Sequence, residues 1–142
     1  MLEKLMRAYP AGEQLEWDSS NDNFGTLHRS DIMISDFSGV IFDFALVFDK
    51  PVIYADTSFD KSQYDACWLS EELWTFRILP YIGQQLTEEN LPRIRSVIDE
   101  CMQETKYQEG RDRARRETWQ YPGEAAQRVA DYLIGKYEAI RA

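Results

Sequence analysis

The stretch DIMISDFSGVIFDFALVFDKPVIY, residues 31–54, constrains the fold more than any other part of the chain. DIMIS, residues 31–35, is an apolar run with β-branched members, too short for a helix and fitted to a buried strand. Asp36, Phe37, Ser38 and Gly39 then interrupt it. VIFDFALVF, residues 40–48, is long enough for a helix. Asp49-Lys50-Pro51 ends that helix, because a residue before proline disfavours helical backbone. VIYA, residues 52–55, reads as a second strand. Strand, helix and strand in so short a span make a βαβ unit, which requires the two strands to be parallel. The expected fold class is therefore α/β, a Rossmann-like three-layer domain with a parallel sheet.

The rest of the chain is expected to be mostly helical. Residues 2–8 read as the end of a helix stopped by Pro10 and Gly12, QLEW at 14–17 as a candidate short strand, and 23–29 as a short helix at most. Residues 61–76 look helical, with Tyr64, Trp68 and Trp74 as apolar contacts, and Pro80 and Gly83 mark a loop. A strong helix is expected from Thr87 to about Tyr107, because Leu91, Ile94, Val97, Ile98 and Cys101 recur at helical spacing. After Pro122-Gly123, a last helix carries Ala126, Val129, Ala130, Leu133 and Tyr137 as one stripe. The two long helices are expected to pack by these stripes, leaving Arg111, Arg113, Arg115 and Arg116 solvated. With 142 residues the chain has room for about one domain: 1–30 helix and loops, 31–56 the βαβ motif, 57–142 mainly helical.

Charge and residue supply narrow the chemistry. A formal charge of -9, from 25 acidic against 16 basic residues, argues against nucleic acid as a partner, since phosphate contacts dominate such binding. It leaves room for a local anion pocket. Cys67 and Cys101 form no CxxC pair and have no clustered metal ligands around them; both are expected to be buried thiols, with a disulfide left open. No metal site is expected. His28 is the single histidine, read as a helix-end residue, with a phosphate contact as the sharper alternative. No signal-peptide pattern opens the chain and no apolar run approaches ~18 residues, so the expected location is cytoplasmic.

The turn is where ligand chemistry is expected. A helix that starts just beyond a buried strand presents unpaired N–H groups, which attract anions together with the helix dipole. The Ser38 hydroxyl can cap the helix or donate to a phosphate, and Gly39 lets a ligand approach the backbone. Ser38, Gly39, Val40 and Ile41 are thus the candidate phosphate cradle. Ser35, Asp36 and Asp43 stand as supporting residues. The same residues also fit ordinary capping chemistry. Asp36 repels a phosphate and is better read as a turn residue. Asp43 lies in a helix apolar nearly all round, so its carboxylate is expected to be buried and to need donors from an adjacent loop or a ligand hydroxyl.

Residues 30–54 closely resemble the signature segment of the CDP-glycerol glycerophosphotransferase family, enzymes of teichoic-acid and capsular polymer synthesis. Ser30, Asp31, Ser35, Asp36, Ser38, Phe42, Asp43, Lys50 and Pro51 fall on matching positions. Phe37 stands for a tyrosine, and Gly39 for a second serine, which removes one hydroxyl from the family's cradle. The Trp119–Gly123 region is compatible with the family but less specific.

The resemblance implies the C-terminal, nucleotide-binding half of a GT-B type glycosyltransferase architecture. It implies that the serine-rich turn contacts the diphosphate of CDP-glycerol. Glycerol phosphate would pass to a polymer or lipid-linked acceptor with release of CMP, at the inner face of the plasma membrane. The resemblance calls for no nicotinamide, flavin or haem. The family's His-Pro motif and its N-terminal catalytic histidine have no counterpart here, nor has its next motif in residues 57–83. The expectation is a C-terminal piece of a longer enzyme, with no catalytic residue of its own, inactive alone, its acceptor met by a missing N-terminal domain. A noncatalytic α/β binding or scaffold domain is the alternative from another class. Transfer of another nucleotide-activated polyol or sugar is the alternative within transferases.

Overall fold

A computed structural model describes residues 1–36, 38–55, 62, 67, 68 and 70–141. Strand β1 (Met33–Ser35) pairs in parallel with β2 (Val52–Ala55), in the register Met33 to Val52 and Ser35 to Tyr54. β2 pairs in parallel with β3 (Gly83–Leu86), giving the order β1-β2-β3. The βαβ unit is thus observed, and the fold is α/β and Rossmann-like. Val52, Ile53 and Tyr54 are buried in succession, so β2 is covered on both faces, as parallel strands require.

Met1–Asp31 and Ile32–Ala142 form separate compact units. The first holds α1 (Leu2–Ala8) and α2 (Phe24–Arg29). The expected strand at 14–17 is instead an isolated antiparallel bridge, Gly12 to Leu15. The Trp17 indole donates to the Tyr9 carbonyl at 2.8 Å, and the Thr26 hydroxyl donates to Asp18.

In the second unit, β1 leads into α3 (Val40–Phe42), which continues as a π-helical segment, Asp43–Val47. Helix α4 (Trp74–Ile82) runs straight into β3. The sequence reading placed a loop there. Pro80 lies inside α4, and Gly83 opens a strand because it alone tolerates the approach of β2: a Cβ on it would lie 2.3 Å from the Val52 carbonyl oxygen. Of the expected helix over 61–76, Tyr64 lies outside the described residues, Trp68 is exposed, and Trp74 opens α4.

The long helix expected from Thr87 is divided. Thr87 and Asn90 exchange hydrogen bonds, Thr87 N–H to Asn90 Oδ1 at 2.8 Å and Asn90 N–H to Thr87 Oγ1 at 3.3 Å. A 3-10 turn follows at Leu91–Arg93, then α5 (Ile94–Gln103) and α6 (Thr105–Thr118), separated by an extended Glu104. Val97 and Cys101 of α5 pack with Ile53 and Tyr107 into a buried cluster, in which Val97 and Ile53 each contribute about 1.5–3 kcal/mol. Cys101 donates weakly to the Val52 carbonyl at 3.4 Å, and burial pushes its thiol pKa up. Cys67, expected buried, is exposed, and both thiols are free.

Helix α7 (Ala125–Arg141) forms where expected but has no buried residue, so the expected packing of two apolar stripes is not what the chain does. Val129, Leu133, Tyr137 and Ile140 are all exposed. The arginines also depart from expectation. Arg113 and Arg116 are exposed, but Arg111 is buried and Arg115 half-buried, because both pair with the Asp49 carboxylate at the end of the preceding helical segment.

Candidate functional site

The turn after β1 and the helix after it carry most of the candidate residues. Ser38 is half-buried and Gly39 exposed. Gly39 has helical backbone, φ -55° and ψ -29°, and a Cβ placed on it would meet nothing within 4 Å. Its lack of a side chain is thus required neither by its conformation nor by crowding from any described residue. The space it opens faces outward.

The backbone donors are partly spoken for. The Ile41 N–H donates to the Ser38 carbonyl at 3.1 Å, and the Phe42 N–H to the Gly39 carbonyl at 3.0 Å. The Ile41 side chain is fully buried in the core. Of the four cradle candidates, the Ser38 hydroxyl and the Gly39 and Val40 N–H groups make no hydrogen bond to another described residue. Ile41 anchors the helix to the core.

Asp36 is exposed, and the Ser35 hydroxyl lies 3.5 Å from its carboxylate, a marginal hydrogen bond. Asp43, expected buried, is exposed. The exposed residues of this helix are Gly39, Asp43 and Val47, spaced by four, while Ile41, Phe44, Ala45 and Leu46 are buried. The carboxylate therefore projects from the same helix face as Gly39, one turn on. His28 is exposed in the last turn of α2, within the Met1–Asp31 unit, which agrees with its reading as a helix-end residue.

The other end of this helix holds residues that sequence reasoning passed over. Asp49 has φ +55°, the left-handed region that aspartate tolerates better than most residues. Its Oδ1 accepts from Arg111 Nε at 2.8 Å and lies 2.7 Å from an Arg115 terminal nitrogen. Arg115 Nε donates to the Leu46 carbonyl at 2.8 Å, and its other terminal nitrogen donates to Asp112 at 2.8 Å. Burial raises the Asp49 carboxyl pKa, but the hydrogen bonds from Arg111 and Arg115 outweigh it, so the net displacement is below the ordinary aspartate range. The signal was present: Tyr107, Gly110, Arg111 and Ala114, at i, i+3, i+4 and i+7, form the buried face of α6.

A small cavity of about 110 Å³ lies among Pro51, Cys101, Thr105, Gln108 and Arg111. Pro51 precedes β2, whereas Ser38 follows β1, so the cavity sits at the opposite edge of the parallel sheet from the turn. Among the described residues no cluster of His, Cys, Asp and Glu could hold a metal ion.

The family model described as CDP-glycerol:poly(glycerophosphate) glycerophosphotransferase matches residues 11–135, nearly the whole of this 142-residue chain. No curated protein and no solved structure matches it.

Proposed function

Because the chain belongs to the CDP-glycerol:poly(glycerophosphate) glycerophosphotransferase family, we propose that it binds the nucleotide diphosphate of CDP-glycerol as the C-terminal half of a GT-B type transferase. The transferase moves glycerol phosphate to a teichoic-acid or capsular polymer acceptor. One observation carries the proposal: an open Ser38-Gly39 turn lies between the carboxyl end of a parallel strand and the start of a helix. Ligands of open α/β sheets bind at that edge.

In this reading the Ser38 hydroxyl and the Gly39 and Val40 N–H groups donate to phosphate oxygens. The positive end of the helix adds to the attraction. Asp43, on the Gly39 face, accepts a hydroxyl of the donor. Asp36 shapes the turn without touching phosphate, and Ser35 stands beside it. The acceptor oxygen attacks the glycerol-bearing phosphorus, the bond to CMP breaks, and CMP leaves with the electron pair. No residue of this chain is assigned as the base that takes the acceptor's proton. A lipid-linked acceptor would be met at the inner face of the plasma membrane, by peripheral attachment. No helix among the described residues is long and apolar enough to cross a membrane.

Calorimetry with CDP-glycerol, CMP and uridine nucleotides tests the reading. CDP-glycerol should bind best. Ser38→Ala should cost about 1–2 kcal/mol, one hydrogen bond to a charged group. Gly39→Val should cost more, and because a Cβ there meets no atom of a described residue within 4 Å, a melting temperature like wild type beside lost binding would assign the loss to the ligand and not to folding. Wild-type affinity in both variants would remove the turn from the donor site.

A further inference from the structure

We infer that Arg115 and Arg111, acting through Asp49 and the Leu46 carbonyl, are positioning residues that hold the donor cradle in place from the far end of its helix. The inference rests on the donor-site reading above. The helix from Val40 to Val47 spans roughly 12 Å and is too short to be stable alone. Its placement therefore depends on what grips it. Phe44, Ala45 and Leu46 sink into the core, which fixes its depth. The grip at its C-terminal end comes from α6.

There the Leu46 carbonyl accepts from Arg115 Nε at 2.8 Å, and two guanidinium groups meet the negative end of the helix dipole. Asp49, just past the helix, joins both arginines through one oxygen. The Arg111 side chain is only 8% exposed and that of Arg115 18%, so water can replace little of what Asp49 supplies. Charge-assisted bonds of this geometry are short and directional. They fix the helix end against α6, and a ligand held by backbone N–H groups is sensitive to misplacement of about 1 Å. The arginines stand too far along the helix to contact a phosphate at Gly39, so their effect is mechanical, transmitted through the helix.

Two variants separate this from a role in stability alone. Arg115→Lys keeps the charge and loses the planar fork that serves Leu46, Asp49 and Asp112 together. Asp49→Asn keeps size and tolerates the left-handed backbone, but gives up the shared charge. In each, CDP-glycerol affinity should fall about tenfold, one charge-assisted hydrogen bond's worth, and the ¹⁵N–¹H resonances of Gly39 and Val40 should move in the ligand-free protein. A purely structural role lowers the melting temperature and moves neither. Should Asp49→Asn fail to fold, Arg115→Lys decides. Wild-type affinity and unmoved Gly39 and Val40 resonances in folded Arg115→Lys would overturn the inference. Gly39→Val serves as the reference: if it too binds donor normally, the donor-site reading has failed, whereas its loss of binding beside a normal Arg115→Lys fails the positioning role alone.

Discussion

Helix α6 is by far the more polar of the last two helices, yet it supplies Tyr107, Gly110, Arg111 and Ala114 to the interior, while α7 buries nothing. Two conditions let a polar helix go inside. Small residues allow close approach, and cations find acceptors where they arrive. Gly110 lies so near α4 that a Cβ on it would be 1.8 Å from the Tyr81 carbonyl oxygen. Next to it Arg111 meets Asp49, and on the solvent side Arg113 Nε donates to Glu117 at 2.7 Å, whose other oxygen accepts the Trp74 indole N–H at 2.8 Å. Helix α7 has an apolar stripe, but among the described residues nothing buries it. A stripe identifies a face that gains from cover; it does not say what covers it.

The largest test of this contrast uses the two glycines. Gly110→Ala should destabilise the protein by about 3 kcal/mol, because a backbone carbonyl blocks the new methyl group and helix must move against helix. Gly135→Ala in α7 meets nothing within 4 Å and should stabilise by about 0.5–1 kcal/mol through helix propensity. Urea unfolding of both reads the difference directly. Equal effects would mean that the two helices are not packed differently in solution.

The same contrast explains what the sequence could reveal. The βαβ motif was legible because strand, breaker, helix and proline follow one another with local signals, and local signals suffice for Met33–Ser35, Val52–Ala55 and the helix between. Strand β3 was not, since Gly-Gln-Gln-Leu has no strand-forming pattern; it becomes a strand because β2 offers it a partner. Asp43 was misread because apolar neighbours hide a narrow exposed face, which shows only once Gly39 and Val47 are counted on the same side. The turn at Ser38-Gly39 was legible as a candidate cradle, but the clamp behind it was not, for Asp49 and Arg111 meet across 62 positions of chain. An arginine within a buried helical period looks the same in sequence as one on a solvated face until its acceptor is known.

A second test reads the clamp through pH. Asp49 has a folded-state pKa below its ordinary value, so its contribution is fully present above the unfolded aspartate pKa of about 4 and is lost as pH falls through the depressed folded value. Near neutral pH, Asp49→Asn should destabilise by about 1–2 kcal/mol: stranding the buried Arg111 raises the cost, and solvent screening of a carboxylate 44% exposed reduces it. The gap between wild type and variant should narrow steadily below about pH 4. A gap that is constant across that range would mean the arginines do not depend on the Asp49 charge.

The smallest expected effect, at Leu133, is the most exposed to refutation, and Leu79 serves as its buried control. Leu79 in α4 is 5% exposed, and Leu133 in α7 is 59% exposed. The same substitution should therefore cost much at Leu79 and little at Leu133. Leu79→Ala removes buried methyl groups and leaves a cavity, at a cost of about 2–5 kcal/mol. Leu133→Ala removes groups that are largely in water already, and alanine is at least as good a helix former, so the change should stay within about 0.5 kcal/mol. Denaturant midpoints at low protein concentration measure both, and a concentration series detects any association of copies through the α7 stripe. If Leu133→Ala costs more than about 1 kcal/mol with no dependence on concentration, α7 packs against its own chain. The exposed stripe, and with it the contrast with α6, would then be abandoned.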